Sequence, residues 1–395
     1  MASNNRKEKK MSEKQQALPK PKPLIECLEQ LPDPRVDRSK KHKLVDVLVI
    51  GLCSQLTGGN GFSDMETFGR LREDWLKTFL ELPGGIPSHD TFNRCFAAID
   101  PHAFLDCFVA WVQGICPALE DETVAIDGKA LRRALNEGES IPYIVSAWAS
   151  DNGLTLGQVK VKDKSNEITA IPELLEVLEL KGCIVTIDAM GCQKKIAADI
   201  IDKNADYVLS LKGNHETVHA EVREFFADAV APRATQCADT VLKGTMDFYQ
   251  TIEKGHGRLE TRRYWQSTDL DWFDDKPLWK GLHSFGMVES IREIKGESSI
   301  ERRFFLSSLP LNAKKMAKSV RGHWGVENAL HWSLDLIFDE DLARARTRNA
   351  AQNVATLRRI ALNLIKKTPR KKTSQRQKRI VAALDPSFLE ELLGI

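Results

Sequence analysis

Val124-Ala-Ile-Asp-Gly-Lys129 is where the chain stops reading as helix and starts reading as strand. Upstream, from Leu24 to about Cys116, apolar residues recur at helical spacing: Leu44–Leu56 is stopped by Gly58, Gly59 and Gly61, and Ser63–Leu80 carries Met65, Phe68, Leu71, Trp75, Leu76 and Phe79. Downstream the runs are short and apolar. Ile144–Ala149 and Thr155–Val161 read as strands joined at Asp151-Asn-Gly153. Helix Glu167–Leu180, strand Cys183–Ile187, helix Gln193–Lys203, strand Tyr207–Leu211 and helix His215–Ala229 then alternate.

Three strands followed by alternating helix and strand describe a mixed α/β sheet of ribonuclease-H-like order. Strand-like stretches return over 240–309, as Leu259–Trp265, Phe285–Ile294 and Arg303–Leu309. A long amphipathic helix from Lys314 to about Phe338 and another over Asn349–Lys366 follow. The expected organisation is a disordered basic tail over 1–23, a helical N-terminal domain over 24–118, an α/β domain over 119–366 that is strand-rich at about 235–312, and a basic C-terminal tail over 367–395. Within the helical domain, a glycine turn precedes a short helix bearing Ser88, His89, Thr91, Asn93 and Arg94, the outline of a helix-turn-helix.

Two carboxylates end apolar strands and each is followed by a small residue: Asp127 before Gly128, and Asp188 before Ala189. An ionised group there needs compensation, which a divalent cation supplies through oxygen ligands. In the expected sheet the first and fourth strands are neighbours, so both acids can share one ion. Glu327 is the third candidate. It lies in Arg321-Gly-His-Trp-Gly-Val-Glu-Asn-Ala-Leu-His331, where His323, Glu327 and His331 fall at i, i+4 and i+8 along one helical face.

Composition narrows the alternatives. The net charge is +2, but residues 1–22 hold seven Lys/Arg against two Glu, and 366–379 hold eight Lys/Arg and no acid, so the intervening body is net acidic. Basic ends suit phosphate backbone, and an acidic body suits metal. No apolar run approaches the length of a membrane span, so no membrane partner is expected. The eight cysteines form no CxxC pair, which argues against a zinc ribbon or disulfide framework and for reduced thiols in a cytoplasmic protein. His215-Glu-Thr-Val-His219 fits a zinc-protease pattern but no third ligand follows it. Gly58-Gly-Asn-Gly61 lacks the preceding strand and following Lys of a nucleotide loop.

Several segments together resemble the H-repeat-associated (ISAs-type) DDE insertion-sequence transposases. They are Val124–Arg132, Lys164-Ser-Asn-Glu-Ile-Thr-Ala-Ile-Pro-Glu-Leu-Leu175, Thr186-Ile-Asp-Ala-Met-Gly-Cys-Gln193, Leu211-Lys-Gly-Asn214, Lys254-Gly-His-Gly-Arg258 and His323–Trp332. The resemblance runs from about Leu31 to Lys366 and implies that 24–118 is a DNA-associated domain and 119–366 a ribonuclease-H-like DDE catalytic domain with a β-rich insertion at about 235–312. It implies a nucleoid-associated bacterial enzyme with Asp127, Asp188 and Glu327 as catalytic, metal-holding triad and Mg²⁺ as cofactor, with Mn²⁺ substituting. Two-metal chemistry would cleave the terminal inverted repeats and join 3′ ends to target DNA. The partners implied are double-stranded DNA and a second copy, as homodimer or larger synaptic complex. The alternative is a domesticated relative that binds DNA without cutting.

Expected DNA contacts are the basic residues near each acid: Arg132 and Arg133, Lys194, Lys212, Arg321, His323, His331, Arg344 and Arg346. One departure stands out. The wider group carries a Tyr, an Arg and a Lys at fixed offsets from the helix Glu, and here those positions hold Val320, His323 and Leu334, with Asp335 beside the last. His323 is then the expected stand-in for the arginine.

Overall fold

A computed structural model describes residues 23–116, 119–134, 141–161, 167–230, 244–255, 257–368 and 372–395. The N-terminal basic stretch, Lys164–Asn166, Cys237, His256 and residues 369–371 lie outside the described residues.

Among the described residues six α-helices come first: α1 (Leu24–Glu29), α2 (Leu44–Leu56), α3 (Phe62–Leu71), α4 (Glu73–Leu76), α5 (His89–Ala98) and α6 (Pro101–Ile115). Their starts follow local chemistry. The Ser88 side chain caps α5 by accepting from the Thr91 N–H, and Asp100 caps α6, whose first residue is Pro101. Then come β1 (Thr123–Ala130), β2 (Tyr143–Ala149), β3 (Leu154–Val161), α7 (Glu167–Val177), β4 (Ile184–Ile187), α8 (Lys194–Asp202), β5 (Asp206–Leu211) and α9 (Glu216–Val230). Strands β6 (Met246–Gly255), β7 (Arg258–Ser267), β8 (Ser284–Ile294) and β9 (Glu297–Ser307) precede α10 (Ala313–Gly325), α11 (Trp332–Leu336), α12 (Ala350–Lys367), α13 (Gln375–Leu384) and α14 (Pro386–Leu393).

All nine strands form one sheet, in the order β3-β2-β1-β4-β5-β9-β8-β7-β6. The mixed α/β class and the neighbouring first and fourth strands are as expected: β1 pairs β4 in parallel and β2 antiparallel. The insertion is joined to the core directly, because β9 pairs antiparallel with β5, from Val208 opposite Ser307 to Leu211 opposite Phe304.

Side chains on β4 and β5 alternate between faces, as the period of two requires. Ile184 and Val208 pack with Met316, Ala317 and Val320 of α10, whereas Val185, Ile187 and Leu209 join the larger core on the other face. That larger core is continuous with the N-terminal helices, reaching from Val47 and Ile50 through Leu357 and Ile360 to Leu174 and Val185. Helix α12 is its axis. Asn353 donates to the Phe96 and Ile99 carbonyls, and Asn363 exchanges hydrogen bonds with the Thr155 backbone.

The C-terminal segment differs from the expected basic tail over 367–395. Its residues 375–393 form α13 and α14, anchored by buried Phe388, Leu389, Leu392 and Leu393. Two of the basic residues are themselves buried. Lys378 donates to the Ile365 carbonyl and Arg379 to the Gln55 carbonyl of α2. Apolar periodicity, not net charge, decides the fate of this segment.

The expected long helix over Lys314–Phe338 is interrupted as well. Between α10 and α11 the residues Val326–His331 form a π-helical segment. Such segments are rare and are frequently found at functional sites.

Candidate active site

The register of β1 and β4 places Ile126 opposite Ile187, so the next residues, Asp127 and Asp188, stand side by side. Asp188 follows the end of β4, whereas Asp127 does not end its strand as expected, because β1 runs on to Ala130 along β2. Asp188 begins a tight turn, its Oδ1 accepting from the Met190 and Gly191 N–H groups at 3.1 and 3.4 Å. Gly191 is required there: a methyl group on it would stand 2.2 Å from Ile187 Cγ2.

Helix α10, which leads into Glu327, lies close on the sheet, against the start of β1 and the end of β2, because two glycines let it. A methyl group on Gly322 would stand 2.9 Å from Thr123 Cγ2, and one on Gly325 would stand 3.3 Å from Trp148 Nε1. Ser150 Oγ donates to the Gly322 carbonyl at 2.7 Å and fixes the crossing. Within the π segment Val326 and Leu330 are buried and Glu327 is exposed. His323 sits one side of Glu327, its Nδ1 3.1 Å from Thr186 Oγ1. His331 sits on the other, its Nδ1 3.7 Å from Asp127 Oδ2.

The electrostatics identify the chemistry of this corner. Burial pushes the Asp127 carboxyl up to about 7, against the Gly128 N–H that favours its charge, and the carboxylates of Asp188, Glu327 and Glu167 add to the rise. Burial also lowers His331 to about 4, with Arg359 and Lys129 acting the same way. The His331–Asp127 approach is therefore not an ion pair at neutral pH, and 3.7 Å is too long for a hydrogen bond. His323 is lowered too, chiefly by burial.

Clustered carboxylates of this kind fit a divalent cation, which takes oxygen donors and lets like charges ionise together. Among the described residues no three His, Cys, Asp or Glu side chains stand in a ready-made cage, so the fit rests on donor chemistry.

The basic residues expected at DNA are dispersed. Lys212, exposed at the end of β5, acts electrostatically on His323 beside Asp188, as Arg303 does. Arg303 also lies over the Trp324 ring at 4.8 Å. Arg132 stands 3.6 Å from Asp341, Arg133 is exposed, and Arg346 donates to the Arg133 carbonyl; Arg344 is exposed nearby. Lys194 pairs with Asp275 at 3.1 Å, and Arg321 lies 3.5 Å from Glu253. Val320 and Leu334, at two of the departing positions, are core residues.

Sequence reasoning missed the support beneath the acids. Lys129, two residues beyond Asp127, is buried and lies 2.7 Å from Asp335, 2.8 Å from Asp341 and 3.8 Å from Glu340. Arg359 meets Glu340 at 2.8 Å with both side chains fully buried. Lys129 was visible in the opening stretch, but its partners lie more than 200 residues away.

The zinc-protease pattern is structural. His215 Nε2 lies 2.6 Å from the Cys192 carbonyl oxygen, and its ring packs edge-on to Trp279, whereas the His219 ring packs on Phe304.

Comparison with known proteins agrees with the geometry. Residues 25–112 match a family described as DDE_Tnp_1-associated, and residues 119–364 match the Transposase DDE domain. "Putative transposase YncI" of Escherichia coli O157:H7 is 39% identical over 377 residues, 94% of each chain. "H repeat-associated putative transposase YhhI" of Escherichia coli K12 is 36% identical over 380 residues, 94% of this chain and 98% of its own. A cryo-EM structure of a piggyBac transposase synaptic complex with hairpin DNA overlays 94% of this chain and 78% of its own at a TM-score of 0.42 and 10% identity, a likeness too distant to argue from. The chain belongs to the DDE transposases, within the H-repeat-associated group of insertion-sequence proteins.

Proposed function

We propose that this protein cuts DNA at the terminal repeats of its element and transfers the 3′ ends to target DNA, with Asp127, Asp188 and Glu327 holding Mg²⁺ or, in its place, Mn²⁺. The carrying observation is the side-by-side placement of Asp127 within β1 and Asp188 just past β4, with Glu327 close enough to act on the Asp127 carboxyl. Bound divalent ions would supply charge neutralisation at the phosphodiester and a more acidic water or 3′-hydroxyl.

The chain's own residues supply position and charge. Lys212 and the Arg303–Trp324 pair lie near enough to act on His323, as Asp188 does, and suit a phosphate on that side. Half-buried His323, its pKa lowered chiefly by burial, suits a hydrogen bond to a phosphate oxygen or to the Asp188 carboxylate. Arg132, Arg344 and Arg346 suit backbone further along the duplex. Two DNA ends must be processed together, so we infer a homodimer or larger assembly on double-stranded DNA.

The test is divalent-ion-dependent cleavage of a labelled terminal-repeat duplex by wild type and Asp188→Ala. Cleavage lost in the variant with DNA binding kept is the expected result. Tight binding without cleavage by either protein would favour the non-cutting relative, and equal cleavage by both would place the active site elsewhere.

A further inference from the structure

The segment Lys164–Leu175, conspicuous in the sequence, has no role in the reading above. Its described part begins with Glu167, the first residue of α7. That helix packs on β2 and β3, and its first side chain reaches β1.

Glu167 is 5% exposed. A methyl group built on Gly128 would stand 2.4 Å from Glu167 Oε1 and 2.7 Å from the carboxyl carbon. The carboxylate therefore fills the space that any side chain at position 128 would need. Gly128 follows Asp127 directly, and the charge of Glu167 is felt at Asp127 together with those of Asp188 and Glu327. A divalent ion takes several carboxylate oxygens at once and lets neighbouring carboxylates ionise together.

We propose that Glu167 is a fourth carboxylate of the cation site, reaching it through the gap left by Gly128 and holding the metal together with Asp127 and Asp188. This rests on the metal-assisted reading above. It gives the Asp-Gly pair and the Asn-Glu-Ile motif one shared purpose: the glycine admits the carboxylate, and the helix start aims it.

The test is Mn²⁺ titration of the full-length protein, followed by the electron paramagnetic resonance of free Mn²⁺. Wild type, Asp188→Asn, Glu167→Gln and Gly128→Ala are compared, with circular dichroism to confirm folding. Glu167→Gln should weaken Mn²⁺ binding about tenfold or more. Gly128→Ala should do the same by displacing the carboxylate, and Asp188→Asn should lose most binding. Wild-type affinity in Glu167→Gln, with binding lost in Asp188→Asn, overturns the role of Glu167 and leaves the metal site standing. No binding by wild type, or equal binding by Asp188→Asn, overturns the metal site and this role with it. Should Gln at 167 prevent folding, Glu167→Asp keeps the charge, withdraws the carboxylate by one methylene, and is read against the same outcomes.

Discussion

Lys129 of β1 and Asp335 of α11 meet at 2.7 Å, so the strand that carries Asp127 is tied to the helix that continues from Glu327. Burial opposes the lysine's charge, yet Glu340, Asp335 and Asp341 around it hold its pKa above the usual value. Lys129→Met should leave Asp335 and Asp341 facing each other without the lysine, and Glu340 held by Arg359 alone. We expect a loss of about 3 kcal/mol in chemical denaturation, in the range for breaking a buried pair. A loss under about 1 kcal/mol would show that the carboxylates relax into solvent instead.

Arg359 and Glu340 allow a sharper version of the same experiment. Arg359→Leu alone should destabilise by about 3–5 kcal/mol, because it strands a fully buried carboxylate. The double variant Arg359→Leu, Glu340→Leu should recover much of that loss, since no unpaired charge remains. Additive losses in the double variant would rule out this coupling.

The raised Asp127 carboxyl makes stability depend on pH in the metal-free protein. An acid whose folded pKa lies near 7 instead of 3.8 contributes fully below about pH 4, and that contribution is lost as pH rises through about 7. Asp127→Asn should therefore unfold later than wild type at pH 8, by about 1–3 kcal/mol, and match it at pH 4. Unfolding curves with Mg²⁺ chelated check this. The opposite ordering at pH 8 would mean that the carboxylate is held ionised.

Gly322 tests the approach of the Glu327 helix to the sheet. Alanine favours a helix over glycine by about 1 kcal/mol, but its methyl would stand 2.9 Å from Thr123 Cγ2. Gly322→Ala should be net destabilising by about 1–3 kcal/mol and should lower cleavage more than DNA binding. A stabilised protein would show that the helix can lift away at no loss.

The site was legible to the extent that it obeyed local pattern. Asp127 and Asp188 could be paired from the sequence because each ends a short apolar run, and parallel register then fixes them as neighbours. Glu327 is different. Its helix shows an apolar face, but nothing local reveals the π segment that buries Val326 and Leu330 while leaving the carboxylate out. Glu167 was hidden because a carboxylate opening a helix reads as an ordinary first-turn acid. Its partner was the missing side chain of Gly128. Lys378 and Arg379 misled in the opposite direction: counted as charge they suggested a tail, whereas their buried positions follow from the apolar spacing of the helices around them.

The pairing of β9 with β5 has a consequence for how the molecule comes apart. Strand β5 needs β9 to satisfy its outer row of backbone groups, and β4, which ends just before Asp188, lies one strand further in. The insertion and the catalytic strands therefore melt as a single cooperative unit, without a separate transition for the ribbon. Trimming the insertion would expose Val208 and Leu209 on a bare sheet edge, the kind of edge that recruits strands from other chains. A smaller enzyme of this design would need a new cover for β5 before it could stay soluble.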